Sequence, residues 1–174
     1  GQVPARGEDL LSGGDACYHV YRTADGRHMA VAALERKFWE LLCDTLGRSD
    51  LKPLHRAPGA DGERAKRELA ATFAAHPRAH WVERFRDVDC CVTPVLSFDE
   101  ALENEQFLAR GMVAKCHHPA DGDIAQLALP LKFSGFEFAL ERPPPGPGEH
   151  SAEILAEAGY REAEIALLRA EGVI

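Results

Sequence analysis

The sequence predicts an α+β fold, antiparallel strands with packed helices, followed by a C-terminal helical tail. Three observations carry that expectation. The Asp25-Gly26 dipeptide stands between two short runs of aromatic and β-branched residues. This is a strong hairpin signal, because glycine takes φ > 0 without steric cost. Apolar residues recur at helical spacing around Phe38, around Leu69 and around Trp81. Finally, Arg142 to His150 (RPPPGPGEH) is stiff and extended, since proline holds φ at about −65°, and two more helical patterns follow it.

Residues 1–13 form a polar linker arriving from something upstream, and with no initiating Met we expect a processed or cut piece. After the Gly13-Gly14 turn, Tyr18-His19-Val20-Tyr21 and His28-Met29-Ala30-Val31-Ala32 pair as the hairpin. Glu35 stands at the strand exit, opening a helix over 35–47 that carries Phe38, Leu41, Leu42 and Leu46 and stops at Gly47. Residues 48–62 hold two prolines and two glycines and no periodicity, which predicts a mobile loop. A helix over 62–76 presents Leu69 and Phe73 and is broken by Pro77. Another over 79–86 places Trp81 and Phe85 one turn apart.

Residues 90–96 read as a buried strand ending at Pro94. Ser97-x-x-Glu100 is a capping box that opens a helix through Leu108. Strands over 112–118 and 125–133 flank the Asp121-Gly122 turn, and 134–140 is a further extended piece. Ser151 is the expected N-cap of the next helix, and a last one covers 162–171. The expected organisation is therefore a linker over 1–13, an α+β domain over 14–133, and a tether with two helices over 134–174.

Composition bounds the function. A hydrophobic share of 45% with 28% charged residues fits a globular domain in a chain of 174 residues. A net charge of −8 argues against nucleic acid as a partner. No run approaches the roughly 20 apolar residues of a membrane span, and no signal peptide is recognisable. The five cysteines lack Cys-x-x-Cys spacing and read as reduced, buried thiols of a cytoplasmic protein. His117 and His118 are adjacent and would point to opposite strand faces; Pro77 interrupts the spacing of His76 and His80. No metal site is expected. Gly-x-Ser-x-Gly and phosphate-loop patterns are missing as well. That leaves Glu35 and the Gly148-Glu149-His150 turn as ionisable groups on rigid supports. Helix starts favour carboxylates for structural reasons alone.

YRTADGRHMAVAALERKFWELL, preceded by LLSGGDACYHV and followed in order by DVDCCVTPVLSFDEAL, ARGM and PPPGPGEHSAEILAEAG, resembles the α-methylacyl-CoA racemases of the family III CoA-transferase superfamily. The resemblance covers nearly the whole chain. It implies an enzyme that epimerises 2-methylacyl-CoA thioesters by α-proton exchange through an enolate. No cofactor is implied, coenzyme A being part of the substrate. It further implies a Rossmann-like large domain that supplies a His/Asp pair from upstream, a small domain corresponding to most of this chain, and an interlocked homodimer. Glu35 matches a family glutamate that joins the site from the small domain, and it is the catalytic candidate. The usual Gly-Ala-Ile-Glu-Pro-Gln-Phe is here Ala32-Ala33-Leu34-Glu35-Arg36-Lys37-Phe38, which sets two cations beside the carboxylate. A CoA-transferase acting through an aspartyl thioester, or a non-catalytic dimerisation module, are the alternatives. The fragment alone is expected to be inactive and to expose an apolar patch that drives self-association.

Overall fold

The computed structural model describes residues 5–140 and 142–174. The chain divides into two compact units, Gly1–Leu96 and Ser97–Ile174.

In the first unit, β1 (Tyr18–Arg22), β2 (His28–Ala32) and β3 (Val92–Pro94) form an antiparallel sheet in that order. Tyr21 lies opposite Met29, and Val31 opposite Val92. Alternation then puts Tyr21, Met29, Val31 and Val92 on the core side, all buried, and Val20, Ala30 and Thr93 on the other face. Three helices cover the core side. α1 (Arg36–Leu46) buries Trp39, Leu42 and Cys43; α2 (Gly59–Ala74) buries Ala65, Leu69 and Phe73; α3 (Arg78–Phe85) buries Trp81 and Phe85. Phe73 is the aromatic centre, stacked on Tyr21 at 5.2 Å and meeting Trp81 edge-on at 5.1 Å. Gly47 ends α1 in the left-handed region at φ 70°, and its N–H bonds back to the Asp44 carbonyl.

Residues 48–62 are not the loop their prolines suggest. Ser49–Leu54 is a 3-10 helix that buries Leu51 and Leu54, and α2 already begins at Gly59. The two leucines are three residues apart, which puts them on one side of a 3-10 turn. The segment is fastened at both flanks. Arg48 donates to Asp50, Glu68 and Thr72, and the Trp39 indole N–H reaches the carbonyls of Leu51 and Lys52. β3 is shorter than the apolar run 90–96 implies, because Cys91 has φ 57°, outside the strand region, and Pro94 has no N–H to continue the ladder.

In the second unit the capping box forms as read. Ser97 Oγ accepts the Glu100 N–H, and Glu100 accepts the Ser97 N–H at 2.8 Å. The helix it opens is only α4 (Phe98–Leu102). Asn104 accepts the N–H groups of Gln106 and Phe107 and starts a new helix, α5 (Glu105–Ala109), since an asparagine side chain competes with the continuing ladder. β4 (Val113–His118) and β5 (Gly122–Leu127) pair as a two-stranded hairpin. Within 134–140 the described backbone shows one isolated bridge, Phe133 with Phe136, in place of an extended strand. The tail ends in α6 (Ser151–Glu157) and α7 (Glu162–Ala170). His150, not Ser151, occupies the N-cap of α6, because the Ser151 N–H bonds back to the Gly148 carbonyl and is already inside the turn.

Candidate functional site

Glu35 is the N-cap residue of α1, with φ −79° and ψ 143°. Its carbonyl accepts the N–H groups of Phe38 and Trp39 at 3.0 and 3.1 Å, so its backbone is the first link of the helix. Its side chain makes no capping bond and is exposed. Serine, threonine, aspartate and asparagine are the usual residues here because their short side chains reach the N2 or N3 amides. Glu35 holds the cap position with its carboxylate projecting outward.

Both neighbouring cations have partners of their own. Arg36 Nε donates to Glu40 Oε1 at 2.8 Å, one helical turn on. Lys37 Nζ lies 4.5 Å above the centre of the Phe38 ring. Arg36 and Lys37 thus add charge to the first turn of α1 that is directed to Glu40 and Phe38.

The peptides leading to Glu35 are held from two directions. The Ala32 N–H donates to the Cys91 carbonyl at 2.9 Å, and the Leu34 carbonyl lies 2.8 Å from His55 Nε2. Cys91 is one of two described non-glycine residues with positive φ. Burial pushes its thiol pKa up, and the charges of Asp89 and Glu35 push it further, which places this half-buried thiol within electrostatic reach of the Glu35 carboxylate.

The Tyr-Arg-Thr-Ala-Asp-Gly block does structural work beneath this junction. The Tyr21 hydroxyl donates to the Ala16 carbonyl at 2.7 Å inside the core, and burial drives its pKa well above the ordinary value. Thr23, almost fully buried, donates to Asp25 Oδ1 at 2.5 Å. Asp25 also accepts the Arg78 N–H, at the first residue of α3. Its pKa is lowered mainly by the Thr23 hydroxyl and further by backbone N–H donors. Gly26 completes the turn at φ 76°. The block therefore ties the β1–β2 turn to a helix 53 residues further along.

A groove of about 370 Å³ runs over the outer side of β1 and β2, lined by Tyr18, His19, Val20, Ala30 and Ala32 with Leu11 and Gly13 at its edge. It is largely apolar, and Ala32 at its end is three residues from Glu35. Glu149, the other sequence candidate, accepts the Gly146 N–H at 2.7 Å, and His150 lies 3.5 Å from Glu153; both brace the turn into α6.

Among the described residues no group of three or more His, Cys, Asp or Glu side chains could hold a metal ion. His76 and His80 stack face to face at 4.0 Å, and His117 pairs with Asp123. Cys17, Cys43 and Cys90 are buried, and burial raises the thiol pKa of Cys43 to about 12 and of Cys90 to about 11. No helix of the described residues is long and apolar enough to cross a membrane. Sequence reasoning missed His55 and Cys91 as supports for Glu35. Each bonds a peptide distant in sequence, and neither contact has a local signature.

The sequence profile described as CoA-transferase family III matches residues 1–151. The chain is 36% identical to the α-methylacyl-CoA racemase of Homo sapiens over 170 residues, which is 97% of this chain and 44% of that protein. It is 27% identical to the succinyl-CoA:glutarate CoA-transferase of Mus musculus over 181 residues, 100% of this chain and 41% of the relative. The chain thus spans less than half the length of these relatives. Among solved structures, Rv3272 from Mycobacterium tuberculosis superposes with a TM-score of 0.59 at 23% identity, over 78% of this chain and 39% of that one, a likeness of fold.

Proposed function

From the premise that this chain belongs to CoA-transferase family III, we propose that it is part of an acyl-CoA enzyme that epimerises 2-methylacyl-CoA thioesters. The carrying observation is the 36% identity to a racemase over 97% of the chain, against 27% to a transferase over 100% of it. The reaction removes the α-proton, passes through an enolate and returns a proton to either face. Thioester conjugation makes the α-carbon acidic enough for side-chain bases, so neither a metal nor an organic cofactor is invoked. Glu35 supplies a carboxylate at the end of a strand, held by rigid backbone and open to solvent. A His/Asp pair from an upstream large domain would perform the proton transfers, and Glu35 would complete their charge network across a homodimer. Residues 134–174 would return to that large domain, leaving the chain alone inactive. The enzyme would act in the cytoplasm.

The test follows deuterium uptake at the α-carbon of a 2-methylacyl-CoA, with no acceptor acid, by the full-length protein that carries this chain. We expect exchange, and a loss of about 10²- to 10³-fold in Glu35→Gln, the size of one lost electrostatic contact in a site. A folded protein that exchanges no deuterium but moves CoA between carboxylic acids would replace this reading with CoA transfer, which the similarity to the mouse transferase supports.

A further inference from the structure

We propose that His55 is a positioning residue for Glu35, an inference that rests on the catalytic reading of Glu35 given above. The Leu34 carbonyl, one peptide before Glu35, can only accept a hydrogen bond. The 2.8 Å approach of His55 Nε2 therefore requires that this nitrogen carry the proton. His55 follows directly on the 3-10 helix Ser49–Leu54, whose Leu51 and Leu54 are buried. That helix is fastened by the Trp39 indole N–H to the carbonyls of Leu51 and Lys52, both at 3.2 Å. Trp39 is fully buried, and its backbone N–H bonds to the Glu35 carbonyl.

These links close a ring: Glu35 to Trp39 through the first turn of α1, Trp39 to the 3-10 helix, the 3-10 helix to His55, and His55 back to Leu34. The His55 ring also packs beside Trp39, with centroids 6.0 Å apart, so its orientation is set by the same side chain that holds the 3-10 helix. On the opposite side the Ala32 N–H is held by the Cys91 carbonyl. The backbone into Glu35 is thereby fixed at two peptides, while its carboxylate makes no capping bond. A displacement of those peptides moves the point from which the carboxylate projects. Misplacing a reacting group by about 1 Å can lower a rate about 10²-fold.

Two measurements test this. In the chain itself, long-range proton–nitrogen correlation of the imidazole at neutral to mildly alkaline pH should show His55 as the Nε2–H tautomer. A neutral ring protonated on Nδ1 would leave no donor for Leu34 and overturns the proposal, without any variant being made. In the full-length protein, His55→Leu should lower kcat for α-proton exchange roughly tenfold to a hundredfold, with KM unchanged. His55→Gln, whose amide N–H can reach the same carbonyl, should restore most of the loss. Full kcat in His55→Leu, or equal damage in both variants, overturns the positioning role. If Glu35→Gln keeps full exchange, the catalytic reading of Glu35 is what fails. If Glu35→Gln loses exchange and His55→Leu does not, only this inference fails.

Discussion

The two units differ in how completely each buries its own apolar surface. Every buried apolar side chain among the described residues lies before Leu96 except Ala128 and Ile165. The first unit closes a three-stranded sheet under three helices around Trp39, Tyr21 and Phe73. The second has a two-stranded hairpin and four helices of five to nine residues, and it leaves Leu131, Phe133, Phe136, Ile154 and Leu167 more than half exposed. A lone two-stranded hairpin is barely stable in water. The difference teaches that the backbone around Glu35 is held by a self-sufficient core, whereas the second unit carries apolar surface that its own elements do not cover.

Core substitutions give the widest separation between the units. Trp39→Ala removes a fully buried indole that also bonds the 3-10 helix, and should destabilise the first unit by about 3–5 kcal/mol. Phe136→Ala removes a ring 59% exposed and should shift stability by no more than about 0.5 kcal/mol. Urea unfolding followed by far-ultraviolet circular dichroism, which reads the helices of both units, compares them. A comparable loss in the two variants would break the contrast.

Alkali and thiol reagents sharpen it next. Cys43 and Cys90 have folded-state pKa values raised to about 12 and about 11 from an unfolded value of 9.0. A raised pKa contributes stability that is complete below about pH 9 and is lost as pH rises through about 11 to 12. Melting temperature should therefore fall across that window. At neutral pH a disulfide reagent should modify the half-exposed Cys116 of the second unit well before Cys17, Cys43 and Cys90. Simultaneous reaction of all four would show that the first core opens as readily as the second unit.

Acid should give the smallest change. Asp25 has its pKa lowered below 3.8, chiefly by the Thr23 hydroxyl, so its contribution is complete above that pH and is lost as pH falls through the lowered value. Glu164 is likewise lowered, by Arg161, but the two are three residues apart on one helix. Hydrogen exchange at falling pH should loosen the first turn of α3 in the wild type. Asp25→Ala, which removes the acceptor oxygens, should show that loosened turn at neutral pH already. Unchanged protection of the Arg78 amide in Asp25→Ala would break the assignment of this long-range cap.

Much of the fold was legible where the determinants are local. Asp25-Gly26 set the hairpin, Gly47 ended α1, and the Ser97/Glu100 pair formed its capping box, each through a few adjacent residues. Periodicity found Leu69 and Phe73 on one face of α2, and Trp81 and Phe85 on one face of α3. It failed over 48–62, where prolines and glycines hid a 3-10 helix whose order comes from bonds to Trp39 and Glu68 elsewhere in the chain. At the site, the sequence placed Glu35 at a strand-to-helix junction, and the structure has it there. His55 and Cys91 were invisible as supports, the first being 21 residues downstream of Leu34 and the second standing just before β3.

By itself the sequence determined the family, the α+β class and the carboxylate at the junction, because motif order, periodicity and turn chemistry are properties of neighbouring residues. Tertiary structure alone decided that Asp25 caps a helix 53 residues away and that His55 braces the peptide before Glu35. The physical reason is the same in each case. A hydrogen bond is specified by the meeting of one donor and one acceptor in space, and spacing along the chain encodes that meeting only when both lie on the same turn.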